Sequence, residues 1–108
     1  MRIANNKKRI QVLWRPAPDA PAVWMVAHAM RVHIVIPSWK HAAIYSYRRG
    51  PLVFFVHQPT GLNVSFGATV NRAMERFKKS IEGMTYEYWA EMLGNTYLLG
   101  NYPERPNL

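Results

Sequence analysis

Cysteine is absent from this sequence, and aspartate occurs once, as Asp19. Without cysteine there is no disulfide framework, no thiolate nucleophile and no thiolate zinc site. A reducing compartment fits that composition, and the expected location is cytoplasmic. With a single Asp held between Pro18 and Pro21, neither a Ser-His-Asp triad nor a carboxylate metal cluster has its material. The histidines His28, His33, His41 and His57 fall at no metal-ligand spacing, and there is no glycine-rich phosphate loop. His57, at a predicted strand end, is expected to be a hydrogen-bonded core residue. Long apolar runs are also missing: nothing approaches the ~18 residues of a spanning helix, and the N-terminal stretch has no apolar core of a signal peptide. No membrane partner, metal, cofactor or catalytic residue is therefore expected. One catalytic class survives this filter, a small basic ribonuclease working with His, Tyr, Arg and Lys.

Acidic residues are scarce overall. Lys and Arg number 14 against 6 Asp and Glu, so the formal charge is 14 − 6 = +8. A balance of that sign concerns association with nucleic acid, an anionic surface or an acidic protein, and leaves the fold open. The 108 residues fit one domain, and 49% hydrophobic residues are enough to build its core. The organisation expected is a basic flexible arm over residues 1–8, one α+β domain over 9–99, and a Pro-containing extended tail over 100–108. Both ends are expected to order on a partner.

Residues 9–14 alternate as a first strand, and Pro16, Pro18 and Pro21 make a stiff connector. Val23, Val26, Ala27 and Met30 follow helical spacing, which predicts a short helix over 22–30; Val32, Ile34 and Ile36 then alternate as a strand. Residues 42–47, 52–57 and 62–66 are rich in aromatic and β-branched types and are separated by turn residues, the signature of a β-meander. Thr69 and Thr85 are placed to cap two helices. The apolar stripe of the first is Val70, Met74, Phe77 and Ile81, ending near Gly83; the second turns Tyr86, Trp89, Ala90 and Leu93 inward and ends near Gly94. The fold class predicted is α+β, an antiparallel meander sheet of four to five strands with helices packed on one face.

Side chains alternate across a sheet, so register decides what each face offers. Pairing His57 with Leu62 puts Val53, Phe55, His57, Leu62, Val64 and Phe66 under the helices. Pairing Tyr47 with Leu52 gives the other face Tyr45, Tyr47, Leu52, Phe54, Val56, Asn63 and Ser65, with Arg48 and Arg49 at its edge. Tyr45, Tyr47 and Phe54 rimmed by cations resemble in kind the platforms on which unpaired bases stack. The alternative is that the N-terminal helix, the tail or a second copy of the chain covers these rings. On the first of the two capped helices Arg72, Arg76 and Lys79 form an all-basic stripe able to track phosphates, beside a stripe of Glu75, Lys78 and Glu82 that compensates internally.

These observations predict a small non-catalytic binding protein. Lys7, Lys8, Arg9, Arg48, Arg49, Arg72, Arg76 and Lys79 would meet phosphates of RNA, single-stranded DNA or a nucleoprotein complex. A second reading is a phage- or mobile-element-type inhibitor that sets the same surfaces against host nucleic-acid machinery, an acidic protein surface included. A homodimer through the second sheet face is a further structural expectation.

Overall fold

A computed structural model describes residues 7–107. Five antiparallel strands, β1 (Lys8–Trp14), β2 (Val23–Arg31), β3 (Ile44–Arg49), β4 (Leu52–His57) and β5 (Leu62–Gly67), form one sheet in sequential order. Helices α1 (Val70–Ser80) and α2 (Tyr86–Leu99) follow, and a 3-10 turn, Pro37–Trp39, precedes β3. The α+β meander with helices on one face is therefore the architecture. Residues 1–6 of the predicted arm lie outside the described residues; Lys8 and Arg9 already belong to β1.

The predicted helix over 22–30 is instead β2. Its nine residues, six of them Ala, Met or Val, satisfy both periodicities, and tertiary pairing decides between them. As a strand the segment pairs with all of β1, from Lys8 opposite Ala29 to Trp14 opposite Val23. Residues 32–36 keep the alternation read from the sequence, with Val32 and Ile34 buried, but run as extended coil and not as a strand. The Val32 N–H donates to the Ile44 carbonyl at 2.9 Å, and the Ile36 carbonyl accepts from the Trp39 N–H at 2.8 Å.

The sheet has a core on each side. Under the helices, Phe55, Ile44 and Val53 meet Phe77, Ile81, Ala73 and Trp89. Trp39, supplied by the 3-10 turn, plugs the middle of this layer: its ring lies 5.6 Å from Phe77 and 5.0 Å from Trp89, and its Nε1 donates to the Met84 carbonyl at 3.0 Å. On the opposite side the β1–β2 hairpin curls over β3 and β4, so that Ile10, Val12, Ala27 and Ala29 pack on Tyr45, Tyr47 and Val56. The curl brings β1 to the β4–β5 turn, where the Leu13 N–H donates to the Gly61 carbonyl at 2.8 Å. Gly61 has φ +75°, and a Cβ there would strike the Trp24 ring, so both conformation and space require glycine.

The helices begin where the sequence places them. Thr69 accepts from the Arg72 N–H at 3.1 Å, and Thr85 from the Tyr88 N–H at 3.2 Å. Gly94 does not end α2, which continues to Leu99 and leaves Leu98 and Leu99 exposed. The chain then reverses at Asn101, φ +51°, and Tyr102 stacks on Tyr97 at 5.8 Å. The Pro-containing tail carries no helix or strand over residues 102–107 and is docked on the sheet. Trp24 Nε1 donates to the Pro103 carbonyl at 2.7 Å, Gln11 to the Pro106 carbonyl at 2.7 Å, and Arg105 to the Gln58 carbonyl at 3.1 Å. The Arg105 guanidinium also lies 4.6 Å from the Trp24 ring centroid, so the tail clamps the outer face of the hairpin.

Candidate functional site

The β3–β4 turn is tighter than the sequence suggests. Arg49, not Tyr47, pairs with Leu52, and Tyr47 pairs with Phe54 around Gly50, φ +60°. The register moves by two residues, so the facing is preserved and Tyr45, Tyr47, Phe54 and Val56 do share the side away from the helices. They are not an open platform. Tyr45 is 3% exposed and Tyr47 5%, because the β1–β2 hairpin covers them; neither the predicted helix, the tail nor a second copy is needed to do so. Burial takes both rings out of any stacking role, and Phe54 alone of the three stays half-exposed.

Between β4 and β5 the alternation breaks. Phe55 pairs with Ser65 and Val56 with Asn63, so Val64 is an extra residue, a β-bulge. The bulge reverses two assignments made by ideal alternation. Ser65 turns under the helix, its Oγ donating to the Ala73 carbonyl at 2.8 Å, and Phe66 turns to the other side, opposite Phe54. Phe66 is 45% exposed. The short connection at 68–69 returns α1 alongside the strand it leaves, and this sets the Arg76 guanidinium 4.7 Å from the Phe66 ring centroid.

A ladder of rings and cations results. The Arg49 guanidinium lies 4.5 Å from Trp14, Trp14 meets Phe54 edge-on at 5.2 Å, Phe54 meets Phe66 at 6.2 Å, and Arg76 covers Phe66. Arg49 also donates to Met25 Sδ at 3.3 Å. Both arginines are exposed at the ends of the ladder. One end opens into a cleft of about 300 Å³ lined by Lys7, Met25, His28, Tyr47, Arg48 and Arg49. The other opens into a cleft of about 370 Å³ lined by Gly67, Ala68, Arg72, Arg76 and Lys79, with Glu75 the one carboxylate. The structure thus gathers eight of the sequence-predicted residues, Lys7, Tyr47, Arg48, Arg49, Phe54, Arg72, Arg76 and Lys79, around this seam, with Tyr47 buried in its wall. Lys8 and Arg9 are exposed on β1 and line neither of these two clefts.

Sequence reasoning missed Trp14, Phe66 and Asn63 as site residues. Trp14 is read from sequence only as a strand position, and Phe66 as a helix-side residue; the signal available for Phe66 was the short loop that must bring Arg76 back beside β5. Asn63 accepts the Tyr47 hydroxyl proton at 2.7 Å. Burial pushes the Tyr47 phenol up to about 12, with the Asn63 hydrogen bond and the Arg49 charge acting weakly the other way, so Tyr47 stays a donor at neutral pH.

His57 is buried between the layers. Nδ1 bonds Thr60 Oγ1 at 3.1 Å and Nε2 bonds the Tyr86 hydroxyl at 3.0 Å, with the Trp89 ring edge-on at 5.1 Å. Desolvation lowers its pKa to about 4. The imidazole is enclosed and neutral, the hydrogen-bonded core residue that the sequence predicts. Among the described residues no group of three or more His, Asp or Glu is placed to hold a metal ion, and no helix is long and apolar enough to cross a membrane. Comparison with protein-family models, with curated proteins and with solved structures finds no match for the chain.

Proposed function

We propose that this protein binds nucleic acid without catalysing a reaction on it, along the seam where the curled sheet meets α1. The observation that carries the reading is the ladder Arg49, Trp14, Phe54, Phe66, Arg76, a run of three rings with an arginine at each end, which lies between two basic clefts. Partly exposed rings suit the stacking of unpaired bases, and the arginines and basic clefts at both ends suit the phosphates of the same strand. The +8 charge adds a long-range attraction to any polyanion. The only buried imidazole is enclosed by hydroxyls and rings, which favours a binding role over ribonuclease chemistry. A cytoplasmic ribonucleoprotein setting belongs to the same proposal.

Titration of a fluorescent mixed-sequence single-stranded oligonucleotide at a series of salt concentrations tests it. The affinity should fall with salt, with log K against log salt sloping by about −0.7 for each phosphate contacted. A flat salt response, or no binding at low salt, removes the proposal and leaves the acidic surface of a partner protein as the reading to pursue.

A further inference from the structure

The open edge of β5 carries a third cleft, of about 390 Å³, lined by Phe54, Asn63, Phe66, Arg76 and Ser80. Its volume lies within the range of small-ligand sites, roughly 300 to 1,000 Å³. One wall is the exposed Phe66 ring, and the Arg76 guanidinium rests on that ring with both side chains at the surface. An exposed cation–π contact of this kind is worth only about 0.5 to 1 kcal/mol, so a planar ligand can displace it.

The polar groups of the cleft are committed in a particular way. Ser80 donates its hydroxyl proton to the Phe77 carbonyl, and Asn63 Oδ1 is taken by the Tyr47 hydroxyl. What Asn63 has left is its amide N–H pair. The cleft therefore presents an aromatic face, a neutral donor and a cation that can move. Those features fit a planar molecule with a carbonyl oxygen on its edge and an anion attached.

We propose that this cleft takes one unstacked, carbonyl-bearing nucleobase of a single strand. The base replaces Arg76 on the Phe66 ring and accepts from the Asn63 amide, and Arg76 swings to the adjoining phosphate. Thymine, uracil, cytosine and guanine carry such an oxygen; adenine does not. Duplex nucleic acid is excluded because its bases are stacked and paired. The inference rests on the nucleic-acid reading above and adds to it a site, a base class and a preference for single strands.

Binding of the intact protein to oligothymidine, oligoadenine and an abasic strand of equal length, with a duplex for comparison, decides the matter. Oligothymidine should bind at least about tenfold more tightly than the abasic strand, the size of one stacked base, and more tightly than oligoadenine. Phe66→Leu should bring oligothymidine down to the level at which the abasic strand binds the same variant. Asn63→Asp keeps an acceptor for Tyr47 and removes the donor, so it should erase the thymine-over-adenine preference. Arg76→Ala should keep that preference and make the salt slope shallower by about 0.7, one phosphate contact. A thermal melt of each variant confirms folding. Equal binding of oligothymidine and the abasic strand would overturn the base site and leave the electrostatic reading standing; absence of binding to every strand at low salt would overturn both.

Discussion

The Ser65 hydroxyl donates to the Ala73 carbonyl oxygen at 2.8 Å, a bond that pins the C-terminal half of β5 to the first turns of α1. Its position one residue past the Val64 bulge is why Phe66 faces the seam and not the helix-side core. The same junction holds the strand and helix so close that a Cβ at Gly67 would sit 2.7 Å from the Ala73 nitrogen. The backbone positions of Arg72 and Arg76 are therefore set relative to the rings of the sheet by this packing, while their exposed side chains can move from there.

Reversing Arg72, Arg76 and Lys79 to Glu should abolish oligonucleotide binding without unfolding the protein. All three are exposed, and the helix is anchored by Ala73 and Phe77 on its opposite side. A melt within a few degrees of the wild type together with lost binding is the expected pair of results. Retained affinity in the folded triple variant would place the interface elsewhere.

Tyr47 separates a structural role from a binding one. Tyr47→Phe removes the hydroxyl that Asn63 accepts and should cost about 1 kcal/mol, with Asn63 exposed enough to turn to water. Tyr47→Ala opens a cavity against Val12, Ala27 and Phe54 and should cost about 3 to 5 kcal/mol, as large aromatic truncations do. Chemical denaturation of both variants checks the ratio.

His57 should make stability pH-dependent on the acid side. Its folded pKa, about 4, lies below the unfolded value of 6.5, so the unfolded chain binds the proton more tightly. Its contribution is complete above about pH 6.5 and is lost as pH falls from there through about 4. Urea midpoints measured across that window should decline for the wild type and decline less for His57→Gln, whose amide can still bridge Thr60 and Tyr86.

Deleting residues 103–108 should destabilise the β1–β2 hairpin. The deletion strips Trp24 of its carbonyl partner and of the Arg105 guanidinium, and removes the bonds to Gln11 and Gln58. Hydrogen bonds worth about 0.5 to 1.5 kcal/mol each and one cation–π contact make a loss of about 2 kcal/mol the expected order. Hydrogen exchange should show the loss concentrated in residues 8–14 and 23–31; a uniform loss across the sheet would mean the tail acts on the whole fold.

Much of the architecture was legible locally. Thr69 and Thr85 marked both helix starts because a hydroxyl at an N-cap satisfies a backbone N–H that nothing else reaches. The turn residues around Gly50 and Gly61 fixed the three-stranded meander of β3, β4 and β5, and a register error of two residues at the first turn left the facings of β3 and β4 correct. The basic stripe of α1 could be read from spacing alone.

Three features were decided only by tertiary structure. Residues 23–31 satisfy two periodicities, and seven pairings with β1 chose the strand. That choice buried Tyr45 and Tyr47, since the hairpin it created had to place its apolar side somewhere and found their face. The bulge at Val64 exchanged the facings of Ser65 and Phe66, which let the Ser65 hydroxyl meet the Ala73 carbonyl under the helix and left the Phe66 ring at the seam. Sequence pattern determines which residues alternate, cap and turn, since those depend on neighbours a few positions away; which face is left open depends on contacts between residues that may be fifty positions apart, and only the packed chain sets them.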